Sequence, residues 1–237
     1  EKFAIIDPAL IPQYALLDRE AVKDLPPHLI ATTGMDALTH AIEASIGRAN
    51  TAKTKAMAHQ AVCIIFKYLE KAYHQDMDAL SRMQIAAYKA GVAFTRAYVG
   101  NVHAMAHTYG GFYNLPHGYA NAVILPHILR LYGPIIHGQL AQLADAVPLT
   151  AKHESKEVKA RAFIGAIQAL KKRMHIPDTF GNIIDQKDLQ QMVDHAYHEA
   201  NPLYPVPVIM SRGDFQKMFH ILNQEPGIKE DRTGPLI

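Results

Sequence analysis

The chain has 237 residues, 49% hydrophobic and 19% charged, with 24 Lys and Arg against 22 Asp and Glu. Such a composition builds a buried globular core and excludes a disordered chain. The near-balance of charge, with no Lys/Arg block, argues against a nucleic-acid surface. A single cysteine, Cys63, excludes an intrachain disulfide and reads as an inert core thiol. No apolar run reaches the ~18–20 residues of a membrane span, so no membrane partner is expected. A reducing, cytoplasmic setting fits.

The first residues, "KFAIID", form an apolar, strand-like run, and "YALLD" follows after a Pro-containing turn, "PALIPQ". Both read as strands or extended segments. A strand with nothing before it lacks part of its sheet, so residues 1–25 read as the end of a preceding domain. After "DLPP" the periodicity turns helical. "PPHLIATTGMDALTHAIEASI" opens on prolines that suit a first helical turn. "TAKTKAMAHQAVCIIFKYLEKAYH" and "MDALSRMQIAAYKAGVAFTRAY" carry apolar residues at three- and four-residue spacing. "GYANAVILPHILRLYG" is apolar nearly all round, which predicts a buried helix with a kink or end at Pro126. "SKEVKARAFIGAIQALKKRM", "QKDLQQMVDHAYHEA" and "SRGDFQKMFHIL" complete the helices; the last opens with Ser211 and Asp214 in a near capping-box pattern. "NPLYPVPVIM" is a proline-punctuated loop. The expected fold class is mainly α, a helical bundle over residues 26–237 with a short β segment before it.

Fourteen histidines make chance clustering common. A lone histidine is ordinarily a hydrogen-bonded core or surface residue, and His59, His74, His153, His175, His195, His198 and His220 are read so. "GNVHAMAHTYGGFYNLPHG" differs. On a helix, residues four apart share a face, which pairs His103 with His107 if "VHAMAH" is helical, and Asp36 with His40. His117 sits in a Pro-His-Gly turn. Ala104 stands where the zinc-protease motif needs glutamate. One cysteine excludes cysteine-based zinc sites. Neither a nucleophile elbow nor a G-x-G-x-x-G motif is present.

The combination resembles the iron-containing, or group III, alcohol dehydrogenases, in their C-terminal metal-binding half. "GMDALTHAIEA" is similar to one family signature and "HAMAHTYGGFYNLPHGYANAVILP" to a second. "IIDPALIPQYALLD", "DLPPHLIATTG" and "NPLYPVPVIMSR" also match, so the likeness covers nearly the whole chain. It implies the alcohol dehydrogenase and dehydroquinate synthase-like helical fold, and metal ligands at Asp36, His40, His103 and His117. It further implies a catalytic role near nicotinamide and substrate for His107, and a substrate-lining place for Phe94. One carboxylate and three imidazoles suit Fe(II) or Zn(II) better than the oxygen-seeking Ca²⁺ or Mg²⁺. The implied reaction interconverts an alcohol with an aldehyde or ketone, a metal acting as Lewis acid and NAD(P) exchanging the hydride.

The family's glycine-rich nucleotide-binding domain is not in this sequence, so no cofactor-binding residue is assigned and the chain by itself is expected to be inactive. The implied partners are a small alcohol or carbonyl compound and, in a full-length protein, a second copy in a homodimer. A glycerol dehydrogenase-like or dehydroquinate-type relative is the alternative enzyme. A non-catalytic helical metal-binding module is the alternative of a different class.

Overall fold

Prolines start the central helix. In the computed structural model, which describes residues 7–224, α1 spans Pro27–Ile46 with proline in its first turn. There proline gives up an N–H that has no intrahelical partner anyway. Helix α1 is buried on most of its circumference, from Ile30 to Ile46, as expected of a helix with packed neighbours on several sides.

Two long helices flank it. α2, Ala52–Tyr73, is started by a reciprocal cap between Thr51 and Thr54. α3, Met77–Ala97, is started by Asp76, which accepts from the Ala79 N–H. Short connections place α1, α2 and α3 in contact as a bundle. Alanine dominates their shared faces: Ala58, Ala61, Ala86, Ala90 and Ala93 are buried.

α4, Asn101–Tyr113, ends at Asn114 in the left-handed region (φ 52°), which asparagine tolerates better than most residues. α5, His117–Tyr132, packs against both α1 and α4. It continues through Pro126 to Tyr132, so of the kink or end expected there, the end does not occur. α6, His137–Ala146, was not anticipated; Leu140, Ala141, Leu143 and Ala144 form its buried face. It packs on α7, Lys156–Arg173. α8, Leu189–Ala200, packs on α4 and on α9, Arg212–Leu222. The Ser211–Asp214 capping box forms as the sequence predicts.

No strand occurs among the described residues. The expected strand at Tyr14–Asp18 is irregular chain between short 3-10 turns at Pro8–Leu10 and Arg19–Ala21. Tyr14 and Leu16 are almost fully exposed. A strand is stable only on a partner edge, and this segment has none among the described residues. Of "FAIID", only Asp7 lies within them. No helix among the described residues is long and apolar enough to cross a membrane.

One glycine sets the approach of α5 to α1. A Cβ on Gly118 would lie 2.5 Å from the Thr32 carbonyl oxygen and 3.3 Å from the Asp36 Cβ. Gly165, exposed in the middle of α7, has open space around it. Gly118→Ala is therefore expected to destabilise the fold by about 1–3 kcal/mol through overpacking. Gly165→Ala should stabilise it by about 0.5–1 kcal/mol through helix propensity. Denaturant midpoints of the two variants measure both signs; a neutral Gly118→Ala would mean that α5 can move off α1 freely.

Candidate metal centre

Three helices bring four donors to one point. Asp36 and His40 lie one turn apart on α1, His103 is in the first turn of α4, and His117 is the first residue of α5. One ligand atom from each lies within 4.8 Å of all the others. His40 and His103 face each other Nε2 to Nε2 at 2.9 Å. Asp36 Oδ1 is 3.4 Å from His117 Nε2 and 3.8 Å from His103 Nε2. Asn121, one turn after His117, donates from Nδ2 to Asp36 Oδ1 at 2.6 Å and stands 3.1 Å from His117 Nε2. His103 is sealed at 2% side-chain exposure while His117 keeps 34%, so the centre opens on the His117 side.

A buried carboxylate that the sequence reading did not single out orients the centre. Glu43 is one turn beyond His40 on the same face of α1. Its Oε2 accepts from the Gly100 N–H at 2.8 Å and lies 2.6 Å from His103 Nδ1. Its Oε1 accepts from the Val102 N–H at 2.9 Å. Glu43 thus caps α4 from outside that helix, and when ionised its carboxylate keeps the His103 proton on Nδ1. That leaves Nε2 of His103 with a bare lone pair, the form in which imidazole binds a cation.

The donor set fits a cation. Burial pushes the imidazoles of His40 and His103 far down, each to about 3; neighbouring imidazoles add to the shift and Asp36 opposes it. Both rings are therefore neutral at ordinary pH. Two neutral Nε2 atoms 2.9 Å apart, beside a carboxylate and a third imidazole, make a nitrogen-rich cluster suited to Fe(II) or Zn(II). Burial pushes the Glu43 carboxyl up to about 7, against the backbone N–H groups of Val102, Gly100 and His103 and the neighbouring His40, which favour its charge.

His107 stands beside the four rather than among them. Its ring stacks on His117 (centroids 5.0 Å, 19° between planes) and meets His103 edge-on at 6.0 Å. Its Nδ1 is 2.5 Å from Glu199 Oε1 on α8, and the same oxygen accepts from the Tyr204 hydroxyl at 2.6 Å. Phe94 of α3 stacks on His40 (centroids 4.2 Å, 20°) and so covers one face of the centre. A cavity of about 190 Å³ lies between α4 and α8, lined by His107, Thr108, Phe112, Gln191, His195 and Glu199. His195, read from sequence as an ordinary isolated residue, lines this cavity and meets Phe112 edge-on.

Glu43, Asn121 and Glu199 escaped the sequence reading. Glu43 carried a signal: an acid seven residues after Asp36 and three after His40, in an apolar run. Asn121 shares His117's helical face at i+4. Glu199 carried none, because an acid on an amphipathic helix normally faces water.

Residues 30–222 match the family model for the "Fe-containing alcohol dehydrogenase family, C-terminal". Lactaldehyde reductase of Escherichia coli (strain K12) is 39% identical over 200 residues, covering 84% of this chain and 52% of the relative. Alcohol dehydrogenase 4 of Schizosaccharomyces pombe is 37% identical over 212 residues, covering 86% and 49%. Among solved structures, a 1,3-propanediol oxidoreductase superposes with a TM-score of 0.80 at 33% identity, covering 86% of this chain and 54% of that one. The chain spans about half the length of the curated relatives it matches.

The neutral histidines set the acid response of the metal-free chain. In the unfolded chain His40 and His103 bind protons near 6.5, in the fold only near 3. Their stability contribution is full above pH 6.5 and is lost as pH falls from 6.5 toward 3. Glu43 acts oppositely: raised from 4.5 to about 7, it favours the fold at low pH and loses that contribution as pH rises through 7. Between pH 6.5 and 4.5 it offsets one of the two histidines. The denaturation midpoint should therefore fall on acidification, more steeply below about pH 4.5, and His40→Gln should flatten the fall. A midpoint that rises from pH 6.5 to 4.5 would contradict the neutral state of the pair.

Proposed function

Because the chain belongs to the iron-containing alcohol dehydrogenase family, we propose that it is the metal-holding part of an NAD(P)-dependent enzyme interconverting a small alcohol with an aldehyde or ketone. The observation that carries this reading is the convergence of Asp36, His40, His103 and His117 from three helices within 4.8 Å. Those four residues would hold Fe(II) or Zn(II), which supplies Lewis acidity toward the substrate oxygen. Phe94 limits access over His40 and would line the substrate's path. His107, on the helix that carries His103, would accept the hydroxyl proton during alcohol oxidation and return it during carbonyl reduction.

Residues 26–237 would form the metal-binding domain, with residues 1–25 leading into it from a nucleotide-binding domain. Relatives about twice as long support that division. Hydride exchange needs the nicotinamide held against this centre, and no residue of this chain is assigned that task. The chain by itself is then a metal-binding protein without turnover.

The test is metal stoichiometry and affinity. Purified metal-free chain, titrated anaerobically with Fe(II) or with Zn(II), should take up one ion. Asp36→Ala, His40→Ala and His103→Ala should each weaken binding by more than the ~10–100-fold usual for losing an outer partner of a ligand. His107→Ala should bind nearly as wild type. Wild-type affinity in any of the three ligand variants would remove that residue from the centre. Clear nicotinamide-dependent alcohol oxidation by the loaded chain would overturn the division of labour between domains.

A further inference from the structure

His107 and Glu199 meet across the α4–α8 contact, 92 positions apart in sequence. Both side chains are largely buried, with 19% and 17% exposed. Glu199 Oε1 serves two groups, His107 Nδ1 at 2.5 Å and the Tyr204 hydroxyl at 2.6 Å. Tyr204 is itself buried at 4% exposure. Burial and the neighbouring Glu199 charge hold its hydroxyl well above the usual tyrosine range, so it keeps its proton and acts as the donor. The His107 ring is also fixed by its stack on His117. An imidazole held by a carboxylate at one nitrogen, and pressed flat against another ring, has little freedom to rotate or flip.

We propose that Glu199 is the positioning residue for His107: with Tyr204 donating to the same oxygen, its carboxylate keeps the proton on His107 Nδ1 and leaves Nε2 as the proton-accepting nitrogen. This rests on the reading of His107 as the group that handles the alcohol proton. The chemistry needs one defined tautomer, since a ring with its proton on Nε2 has no lone pair there to accept with. When the hydroxyl proton moves from the alcohol oxygen to Nε2, the ring becomes a cation, and the adjacent Glu199 charge stabilises it. The arrangement repeats the logic of the Glu43–His103 pair with a different outcome: a bare nitrogen toward a cation at His103, a bare nitrogen toward a proton at His107.

The measurement is the histidine tautomer, read by long-range ¹⁵N–¹H correlation NMR on the ¹⁵N-histidine-labelled, Zn(II)-loaded chain near pH 8. His107 is assigned by loss of its signals in His107→Ala. In the wild-type chain its Nδ1 should carry the proton and its Nε2 none. Glu199→Leu, which removes the acceptor, should abolish that single-tautomer pattern while the Zn(II) dissociation constant changes by less than about threefold, well below the ~10–100-fold expected when a ligand's own support is lost. Glu199→Gln keeps an acceptor oxygen and should retain the pattern. A proton on Nε2 in the wild-type chain would overturn the proposal whatever the variants do, including if Glu199→Leu fails to fold. So would an unchanged tautomer in Glu199→Leu, or a fall in Zn(II) affinity in step with the tautomer change, which would put Glu199 in the ligand scaffold. Failure of the metal reading would be visible separately, as wild-type Zn(II) affinity in His40→Ala or His103→Ala with the His107 tautomer intact.

Discussion

A carboxylate on one helix that caps the start of another is the constraint on which this structure turns. Glu43 is almost completely buried on α1, and it accepts from two N–H groups at the start of α4 and faces the ring of His103. The first N–H groups of a helix have no partners within it, and a negative charge there is favoured by the helix dipole. An unpaired charge at that depth would cost several kcal/mol, so the contact must be kept whole. Gly100 belongs to the same contact: a Cβ there would lie 2.7 Å from Glu43 Oε1. Removing either partner would loosen the start of α4 and the orientation of His103 together.

From that fixed point the other donors follow by helical geometry. Asp36 and His40 share the face of α1 that carries Glu43, and burial of α1 on most sides stops the helix from rotating. α5 can reach them only because Gly118 presents no side chain to Thr32 and Asp36. His117 immediately precedes that glycine, and Asn121, one turn later, ties the Asp36 carboxylate to the same helix. The cluster therefore depends on two close helix approaches, one polar at Gly100 and one steric at Gly118.

Helix α4 carries two histidines with different surroundings. His103 faces α1 and Glu43; His107, one turn on, faces α8 and Glu199. Residues four apart on a helix share a face but not the same neighbours, because the helix crosses one packing partner after another along its length. Each ring meets a carboxylate at Nδ1. The stack of His107 on His117 keeps His107 in contact with the four-residue cluster without placing it among the four.

Much of this was legible in the sequence. Apolar periodicity located α1, α2, α3, α5, α7, α8 and α9, and the Pro27 start and the Ser211–Asp214 cap could be read directly, because those signals act within a few residues. The i,i+4 spacing paired Asp36 with His40 and His103 with His107 for the same local reason, and the likeness to the family signatures joined His117 to them. The short helix α6 lay hidden in a segment with little periodic contrast, and Pro126 did not end α5, where a buried helix held by its neighbours absorbs the break. The strand expected at Tyr14–Asp18 did not form, since strand stability lies in a partner that local pattern does not reveal. Glu43, Asn121 and Glu199 became meaningful only in three dimensions: their contacts to His103, Asp36 and His107 span 60, 85 and 92 positions. Local pattern located most of the helices and showed which residue types could bind a cation. Tertiary packing decided the surroundings of the His103 and His107 rings, because the carboxylate that faces each at Nδ1 is brought in from another helix.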